Sequence, residues 1–337
     1  MAHMIDESNS RNNIAYIGTT PWHGLGQQLT EGADIPTWQR EAGLDWTAMK
    51  APVLYQNGEQ HVFAGKNVLF RSDTGAPLSV VSDDYREVQP DQIMGFFAKL
   101  ASIGGFQLET AGSLSAGRRI WALAKVSDGA DIVNRDRVRP YILLATSYDG
   151  TMATVAKFTA VRVVCHNTIS MAIPQYDAAA GRATGGERGD TEAGPARNVV
   201  RVTHSATFDA DAVRLQLGVV ASAWEKFQVQ AGILASTGME VPQADEFLRE
   251  LLAPYAPEAR RDADTLRASK GYGKIMLLFQ GAAVGADLAG ETKWGMLNAV
   301  TEYVDHERGR STNSRLESAW FGTGNGLKDR ALELLAA

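Results

Sequence analysis

The hydrophobic and polar positions change their period along the chain, which separates a strand-rich first half from a helical second half. Between residues 52 and 82, apolar side chains alternate with polar ones, as they do in half-buried strands. The step Asn57-Gly58 lies between two such runs and predicts a hairpin with a type I′ turn, because both residues tolerate positive φ. Residues 67–70 and 78–82 are expected to continue this meander.

A helix is predicted over 91–103, because its apolar residues recur on one side and Gly104-Gly105 follows it. A shorter helix is expected over 35–42, where Pro36 and Gly43 suit the two ends. Alternation then predicts four strands, at 106–110, 119–126, 140–147 and 151–158. The last two would be joined in a hairpin at Tyr148-Asp149-Gly150.

Residues 161–169 are apolar but too short for periodicity to decide between helix and strand. Residues 177–196 consist mostly of small and polar residues without a large aliphatic side chain, which predicts a flexible loop. Beyond this loop the spacing becomes helical, punctuated by glycine and proline, over 210–234, 244–252, 263–268, 272–288, 292–308 and 327–335.

These elements predict an α+β protein with an antiparallel β-rich core, a helix packed on that core and a helical C-terminal region. The division we expect is an N-terminal arm (1–50), a β-rich core domain (51–176), a flexible linker (177–197) and the helical region (198–337).

Composition excludes several classes of protein. The chain has 337 residues, of which 45% are hydrophobic and 21% charged, so it can bury a core and is neither disordered nor collagen-like. The single cysteine, Cys165, excludes an intramolecular disulfide and a four-cysteine zinc site. No apolar run reaches the ~18 residues of a membrane span, and the first residues do not resemble a signal peptide. We therefore expect a cytoplasmic protein without a membrane partner.

Charge is distributed unevenly, although the net charge is −6. Residues 114–205 carry 12 basic and 8 acidic side chains, whereas both flanking segments are acidic. Arg135, Arg137 and Arg139 alternate and would form a cationic row on an extended segment. Aromatic residues interleaved with basic ones suit single-stranded nucleic acid, whose bases stack on the rings. A solvated face over core aromatics is the alternative. The candidate nucleic-acid-binding residues are Arg118, Arg119, Trp121, Arg135, Arg137, Arg139, Tyr148, Lys157 and Arg162.

Signatures of catalysis are missing from the sequence. It contains no phosphate-binding loop of the P-loop type, no dinucleotide fingerprint in a βαβ context, no His-Glu-x-x-His and no Gly-x-Ser-x-Gly. Cys165 adjoins His166, but neighbouring residues on a strand point to opposite faces, so a buried structural cysteine is the favoured interpretation. We predict no catalytic residue, no bound metal and no cofactor, and we do not expect an enzyme.

Two weaker patterns leave alternatives open. Glu302, Asp305 and His306 are close on one helix surface and suit metal ligation, although a solvated helix end explains them equally well. The glycine-rich start of the last helix, followed by Lys328, suits a phosphate. A glycine turn capped by Asn325 is the favoured alternative there.

Four segments resemble the phage/plasmid-like proteins of the domain-of-unknown-function family DUF932: 12–26, 161–168, 201–205 and 294–306. The resemblance implies carriage on phages, prophages and plasmids, and it supplies no catalytic residues. If the protein is phage-encoded, the expected location is the cytoplasm of the host cell. The order of helix, antiparallel strands and apolar segment over 91–172 is also similar to the core of ring-forming single-strand annealing proteins, an analogy of fold alone.

Our leading hypothesis is ATP-independent binding and annealing of single-stranded DNA, in phage or plasmid recombination, by a homo-oligomer. A second hypothesis is a host-interaction or regulatory protein that binds a partner protein through its N-terminal arm, which holds three of the seven tryptophans. A third is a metal-assisted nuclease or hydrolase around Glu302, Asp305 and His306.

Overall fold

The computed structural model has an α+β fold, with strands in the N-terminal half and helices in the C-terminal half, as the sequence predicts. The residues that it describes, to which all structural statements below refer, are 7–8, 11–18, 25–149, 155–162, 168–170, 176–177, 182–183, 199–201, 210–309, 315, 318–320 and 322–337.

Strands in chain order are β1 (Glu7–Ser8), β2 (Arg11–Asn12), β3 (Ile14–Ile17), β4 (Gln27–Leu29), β5 (Ala48–Asn57), β6 (Glu59–Arg71), β7 (Pro77–Ser82), β8 (Gln107–Leu114), β9 (Arg119–Lys125), β10 (Ala130–Asp131), β11 (Arg137–Ser147), β12 (Val155–Arg162), β13 (Thr168–Ser170), β14 (Tyr176–Asp177), β15 (Arg182–Ala183) and β16 (Val199–Arg201).

Helices in chain order are α1 (Ile35–Glu41), α2 (Pro90–Gly104), α3 (Ala210–Ser236), α4 (Val241–Leu252), α5 (Ala263–Arg267), α6 (Lys270–Leu277), α7 (Ala286–Ala289), α8 (Lys293–Glu302) and α9 (Thr323–Ala336). Short 3₁₀ turns cover Ala253–Tyr255 and Glu258–Arg260, and π-helical turns cover Leu278–Ala282 and Tyr303–Glu307.

The main sheet has the strand order β13-β12-β11-β9-β8-β3-β4, and β10 and β16 pair with β11 and β12 respectively. Its pairs are antiparallel except β3 with β4, which is parallel. Part of the segment predicted as an N-terminal arm therefore belongs to this sheet, because β3 pairs with β8 of its own chain. The short strands β1 and β2, and β14 and β15, form separate two-stranded pairs.

A second, three-stranded sheet consists of β5, β6 and β7. Its hairpin turns where the sequence predicts, but Gln56 pairs with Gln60, and only Gly58 of the Asn-Gly step has positive φ, 76°. A type I′ turn needs positive φ at both central residues, so this prediction is wrong: Asn57 lies opposite Glu59, and Gly58 alone supplies the left-handed conformation. The register also shifts beyond Pro52, so that part of β6 lies outside the regular ladder.

Helix α2 follows from local signals in the sequence. Pro90 occupies its first turn, Gln92 accepts a hydrogen bond from the backbone N–H of Gln89 at 3.0 Å, and Gly105 ends it with φ 72°. Its buried side is apolar and packs on the main sheet, through Ile93, Met94, Phe97, Leu100 and Ala101.

The helical half departs from its predicted lengths in two places. The helix expected over 272–288 is broken after Leu277 by a π-helical turn with Gly281 at φ 112°, and α8 passes into a π-helical turn at Tyr303. No helix among the described residues is long and apolar enough to cross a membrane. Cys165, His166, Trp22 and nearly all of the predicted loop 177–196 lie outside the described residues.

One hydrophobic core contains residues of both halves. Phe158 of β12 lies 6.0 Å from Phe227 of α3, between ring centroids, and Phe227 lies 6.2 Å from Trp294 of α8. Helices α3 and α8 thus cover one face of the main sheet.

Candidate functional site

The register of the main sheet fixes which predicted residues share a face. Leu143 of β11 pairs with Leu123 of β9 on one side and with Lys157 of β12 on the other. Because side chains alternate along a strand, one face carries Arg119, Trp121, Arg137, Arg139 and Lys157. Arg162 lies on the opposite face, towards the helices.

The arginines on that face are not contiguous. Arg119 pairs with Ser147 at one end of β11, whereas Arg139 lies eight residues earlier on the same strand. At ~3.3 Å per residue this separates their positions by about 26 Å along the strand. Arg118 and Arg119 thus form one cluster and Arg137 and Arg139 another.

The predicted row of three alternating arginines is incomplete. Arg135 precedes β11 in a turn with φ 65°, so it departs from the extended geometry that would align it with Arg137 and Arg139. It is exposed, as is Arg137, whose guanidinium lies 3.5 Å from the carboxylate of Asp131. Alternation places only Arg137 and Arg139 together.

Both aromatic residues expected to stack on bases are buried. Trp121 is only 2% exposed and meets Trp320 edge to face, with ring centroids 4.8 Å apart. Tyr148 donates a hydrogen bond from its hydroxyl to the carbonyl of Val88 at 2.7 Å, and burial raises its pKa above the ordinary value. Neither ring is accessible to a nucleic-acid base in this conformation. Although both rings lie among basic residues in the sequence, each ring packs in the hydrophobic interior.

Lys157 is completely buried beneath α9. Its ammonium donates a hydrogen bond to Oδ1 of Asn325 at 3.2 Å, and Asn325 donates from Nδ2 to Asp329 at 2.7 Å. Burial lowers the pKa of Lys157 to about 8, and the nearby Asp329 opposes that shift. Lys157 therefore connects the sheet to the last helix and is not exposed to a phosphate backbone.

Arg162 is also buried, and it is the centre of a second polar network. Its Nε lies 2.6 Å from Oδ1 of Asp136, while its two terminal nitrogens donate to the carbonyls of Val284 at 3.0 Å and Gly285 at 2.7 Å. The other oxygen of Asp136 accepts a hydrogen bond from the indole of Trp294 at 2.8 Å. The network joins β12, the turn before β11 and the helical half.

The segment 294–306, which carried the sequence resemblance, forms the buried side of these networks. Glu302 accepts hydrogen bonds from the backbone N–H of Val284 at 3.1 and 3.2 Å, and Asp305 forms a buried ion pair with Lys328 at 2.8 Å. Within the described part of the chain, no three His, Cys, Asp or Glu side chains converge as metal ligands do.

The glycine-rich start of α9, which the sequence suggested as a phosphate site, belongs to the same buried network. Lys328 is buried against Asp305, and the backbone N–H of Gly324 donates to the hydroxyl of Ser318 at 3.1 Å. Asn325 is turned inward to Lys157, so it does not cap the helix as expected. A cation and a first-turn amide of this helix are therefore already engaged within the protein.

Two of the three tryptophans of the predicted arm are interior residues. Trp38 and Trp46 are buried, and the guanidinium of Arg71 lies 4.7 Å from the ring centroid of Trp46. Arg71 itself is buried and lies 2.6 Å from Asp73. These rings stabilise the N-terminal part of the core and are not available to a partner protein.

The exposed apolar surface lies elsewhere, on the second sheet. We call this the hairpin surface; its large exposed apolar residues are Met49, Leu54, Tyr55, Val62, Phe63 and Val80. Residues 54–66 are exposed on both faces of the β5–β6 hairpin. The rings of Tyr55 and His61 stack across the two strands with centroids 5.2 Å apart.

Sequence reasoning missed both buried networks. Asp136 gave no signal, because one acidic residue between arginines in a turn looks like surface charge. The segment 294–306 did carry a signal: Trp294, Asn298 and Glu302 recur every four residues on a helix whose other positions are almost all apolar or small. This spacing is typical of a buried helix with hydrogen-bonding side chains along one side.

Taken together, the fold and these networks define an α+β protein in which charged side chains of a β-sheet are buried against a helical half. The family model for the domain of unknown function DUF932 matches residues 77–183 and 191–320, and the chain belongs to this family. No curated protein and no solved structure matches the chain.

Proposed function

We propose that this protein is an interaction module that assembles copies of itself through the hairpin surface. The observation that carries the proposal is the concentration of exposed large apolar side chains on one small sheet, where Val62 and Val80 are each 61% exposed. A concentration of exposed apolar side chains is typical of an interface that a partner covers.

The form of the hairpin supports docking along its length. In the described part of the chain, β5 and β7 each pair only with β6, so both edges of the sheet present unpaired backbone groups. Residues 54–66 project with both faces open, which lets the hairpin insert between elements of a partner. Edge strands without such a role are usually short, charged or covered.

A second copy of this chain is the occupant that charge favours. The projecting residues 54–66 hold one acidic side chain, Glu59, and one basic side chain, Lys66, so two hairpins meet without net repulsion although each chain carries −6. The outer face measures about 30 Å by 15 Å from strand length and spacing. With the second face of the hairpin it approaches the ~800 Å² per partner of a standard interface.

Light scattering coupled to size-exclusion chromatography tests the assembly. We expect the wild-type chain at ~50 µM to elute as a dimer or larger species, and Val62→Lys to shift it to a monomer, because a buried charge disrupts an apolar interface. Val229→Lys is the matched control: Val229 is 66% exposed on α3, away from the hairpin surface. A monomeric wild type overturns the proposal, as does dissociation by Val229→Lys rather than Val62→Lys.

Single-stranded DNA binding, in phage or plasmid recombination, is a second proposed function. It is favoured by the solvent access that Arg118, Arg119, Arg135, Arg137 and Arg139 keep. The buried Trp121, Tyr148, Lys157 and Arg162 have no part in it. Binding would rest on phosphate contacts without base stacking, and in an oligomer the clusters of several copies would add together.

Fluorescence anisotropy with labelled single- and double-stranded oligonucleotides tests this second function. We expect binding that weakens steeply between about 50 and 200 mM salt. Replacing both Arg137 and Arg139 by Gln should reduce the salt slope, whereas Lys226→Gln on α3 should leave it unchanged. Absence of binding at 50 mM salt would rule the DNA proposal out while leaving the assembly proposal intact.

A further inference from the structure

A groove of about 660 Å³ is lined by the C-terminal part of α3 and by the end of α9. This volume is within the ~300–1,000 Å³ of small-molecule sites, which often lie between helices. The lining residues of α3 extend from Glu225 to Thr237, so the groove follows the helix for about 18 Å. Residues 335–337 also line it, as does Lys293, the first residue of α8. The groove shares no residue with the hairpin surface, so it is a separate candidate for binding.

The part of the groove formed by α3 presents apolar side chains to solvent. Val229 and Ile233 are 66% and 59% exposed, and residues four apart lie on the same helix face, so the two form an apolar strip. Leu234 and Leu335 also line the groove and are buried. Because moving apolar surface out of water is favourable, this strip suits an apolar ligand.

Positive charge in the groove has no matching carboxylate. Lys293 is partly buried and donates from Nζ to the carbonyl oxygen of Leu335 at 2.9 Å, which leaves two of its three N–H groups for a ligand. Neither Lys293 nor Lys226 forms an ion pair with a residue that the structure describes. Glu225 lines the groove as well, but it is exposed, and water screens its charge. A ligand with an anionic oxygen therefore suits the ammonium of Lys293.

We propose that the groove binds a long-chain carboxylate of the fatty-acid type. The apolar tail covers Val229 and Ile233, and the carboxylate accepts hydrogen bonds from Nζ of Lys293. One partly buried ammonium matches the single charge of a carboxylate, whereas a phosphate carries about −1.5 to −2 at neutral pH. Lys226 is exposed and adds only a weak attraction.

Isothermal titration calorimetry of the full chain with dodecanoate, below its micelle concentration, tests the groove. We expect saturable one-site binding with a Kd in the micromolar range. Acetate has the carboxylate without the tail, and dodecyltrimethylammonium has the tail with the opposite charge. Both should bind at least roughly tenfold more weakly, because each lacks one of the two contacts.

Lys293→Gln should weaken dodecanoate binding roughly ten- to hundredfold, as when a hydrogen bond to a charged group is lost. Lys293→Arg keeps the charge, so it should bind more tightly than Lys293→Gln. The matched control is Lys270→Gln, the same substitution at an exposed lysine of α6 outside the groove lining, which should bind as wild type does.

Ile233→Glu keeps the test decisive if Lys293→Gln folds poorly, because Ile233 is exposed and its replacement leaves no cavity in the core. This variant should weaken binding at least roughly tenfold, through loss of apolar contact and repulsion of the carboxylate. The proposal is overturned if dodecanoate does not bind at about 1 mM, if Lys293→Gln or Ile233→Glu binds as wild type does, or if dodecyltrimethylammonium binds as tightly as dodecanoate. Loss of binding in Val62→Lys would place the ligand on the hairpin surface and would also overturn it. The oligomeric state is measured separately, so the assembly proposal stands or falls on its own test.

Discussion

At the level of single residues, two buried charged side chains of β12 connect the main sheet to the helical half. Arg162 and Lys157 lie on opposite faces of the strand, and each reaches a partner more than 120 residues away in the chain. Arg162 satisfies Asp136 and two carbonyls, and Lys157 is held by Asn325. Burying such groups is tolerated because their hydrogen bonds are made within the protein.

Breaking the pair of Arg162 with Asp136 should be strongly destabilising. We expect Arg162→Met to lower the free energy of unfolding by about 3–5 kcal/mol, because the Asp136 carboxylate is left buried without its cation. Urea denaturation followed by circular dichroism measures this.

The matched control is Arg137→Met, which removes a surface pair with Asp131 whose side chains are 48% and 47% exposed. It should change stability by less than ~1 kcal/mol. Equal effects of the two substitutions would contradict the buried role of Arg162.

Lys157 should make stability depend on pH in the alkaline range. Its pKa falls from 10.5 to about 8 on folding, so between these values the unfolded chain binds more protons than the folded one. Stability contributed by this group therefore rises as pH increases from about 8 to 10. Tyrosines whose pKa is raised by burial, Tyr141 and Tyr148 most of all, act in the opposite direction only above pH 10.

The difference in unfolding free energy between wild type and Lys157→Met, measured at pH 7.5, 8.5 and 9.5, isolates this contribution. We expect wild type to gain on the variant as pH rises. A constant difference would show that Lys157 keeps its ordinary pKa in the folded protein.

Secondary structure elements follow local sequence where the pattern is long and their ends carry a signal. α2 begins at Pro90 and is capped by Gly105, and β8, β9 and β11 overlap the strands that alternation predicts. β12 is described over Val155–Arg162 and overlaps only the second half of the strand predicted at 151–158. The errors in helix length have one cause: hydrogen-bond geometry varies within a helical pattern. The π-helical turns at 278–282 and 303–307 keep apolar spacing compatible with a helix, so periodicity does not reveal them.

Two glycines of the α2 region allow the effect of backbone conformation on stability to be measured separately from that of side-chain packing. Gly105 has φ 72° and Gly95 is helical, and an added Cβ meets nothing within 4 Å at either position. We expect Gly105→Ala to destabilise by about 1 kcal/mol, through strain in the left-handed C-cap. Gly95→Ala should instead stabilise by about 0.5–1 kcal/mol. Thermal unfolding of both variants decides, and the same sign for both would contradict this account.

At the scale of the whole molecule, the strand-rich and helical halves share one core. The ring cluster of Phe158, Phe227 and Trp294 and the buried networks all cross between them. The predicted division into a core domain at 51–176 and a helical region at 198–337 stays a prediction. Because the two regions share one core, we expect them to unfold together.

Differential scanning calorimetry should accordingly show a single transition. The calorimetric and van't Hoff enthalpies should be equal when both are expressed per mole of the oligomer that unfolds. Arg162→Met should lower its midpoint without splitting it. Two resolved transitions in the wild type would instead support separate domains.

The sequence by itself determined the α+β class, the hairpin at Asn57-Gly58, helix α2 and the central strands, because these depend on side chains near each other in the chain. Only the tertiary structure decided which basic residues are interior. Arg137 and Arg162 look alike in sequence, yet one is exposed and the other buried, since strand register and helices from residues 284–328 determine what covers each face. For the same reason the apolar hairpin surface is exposed, whereas Trp38 and Trp46 of the predicted arm are buried.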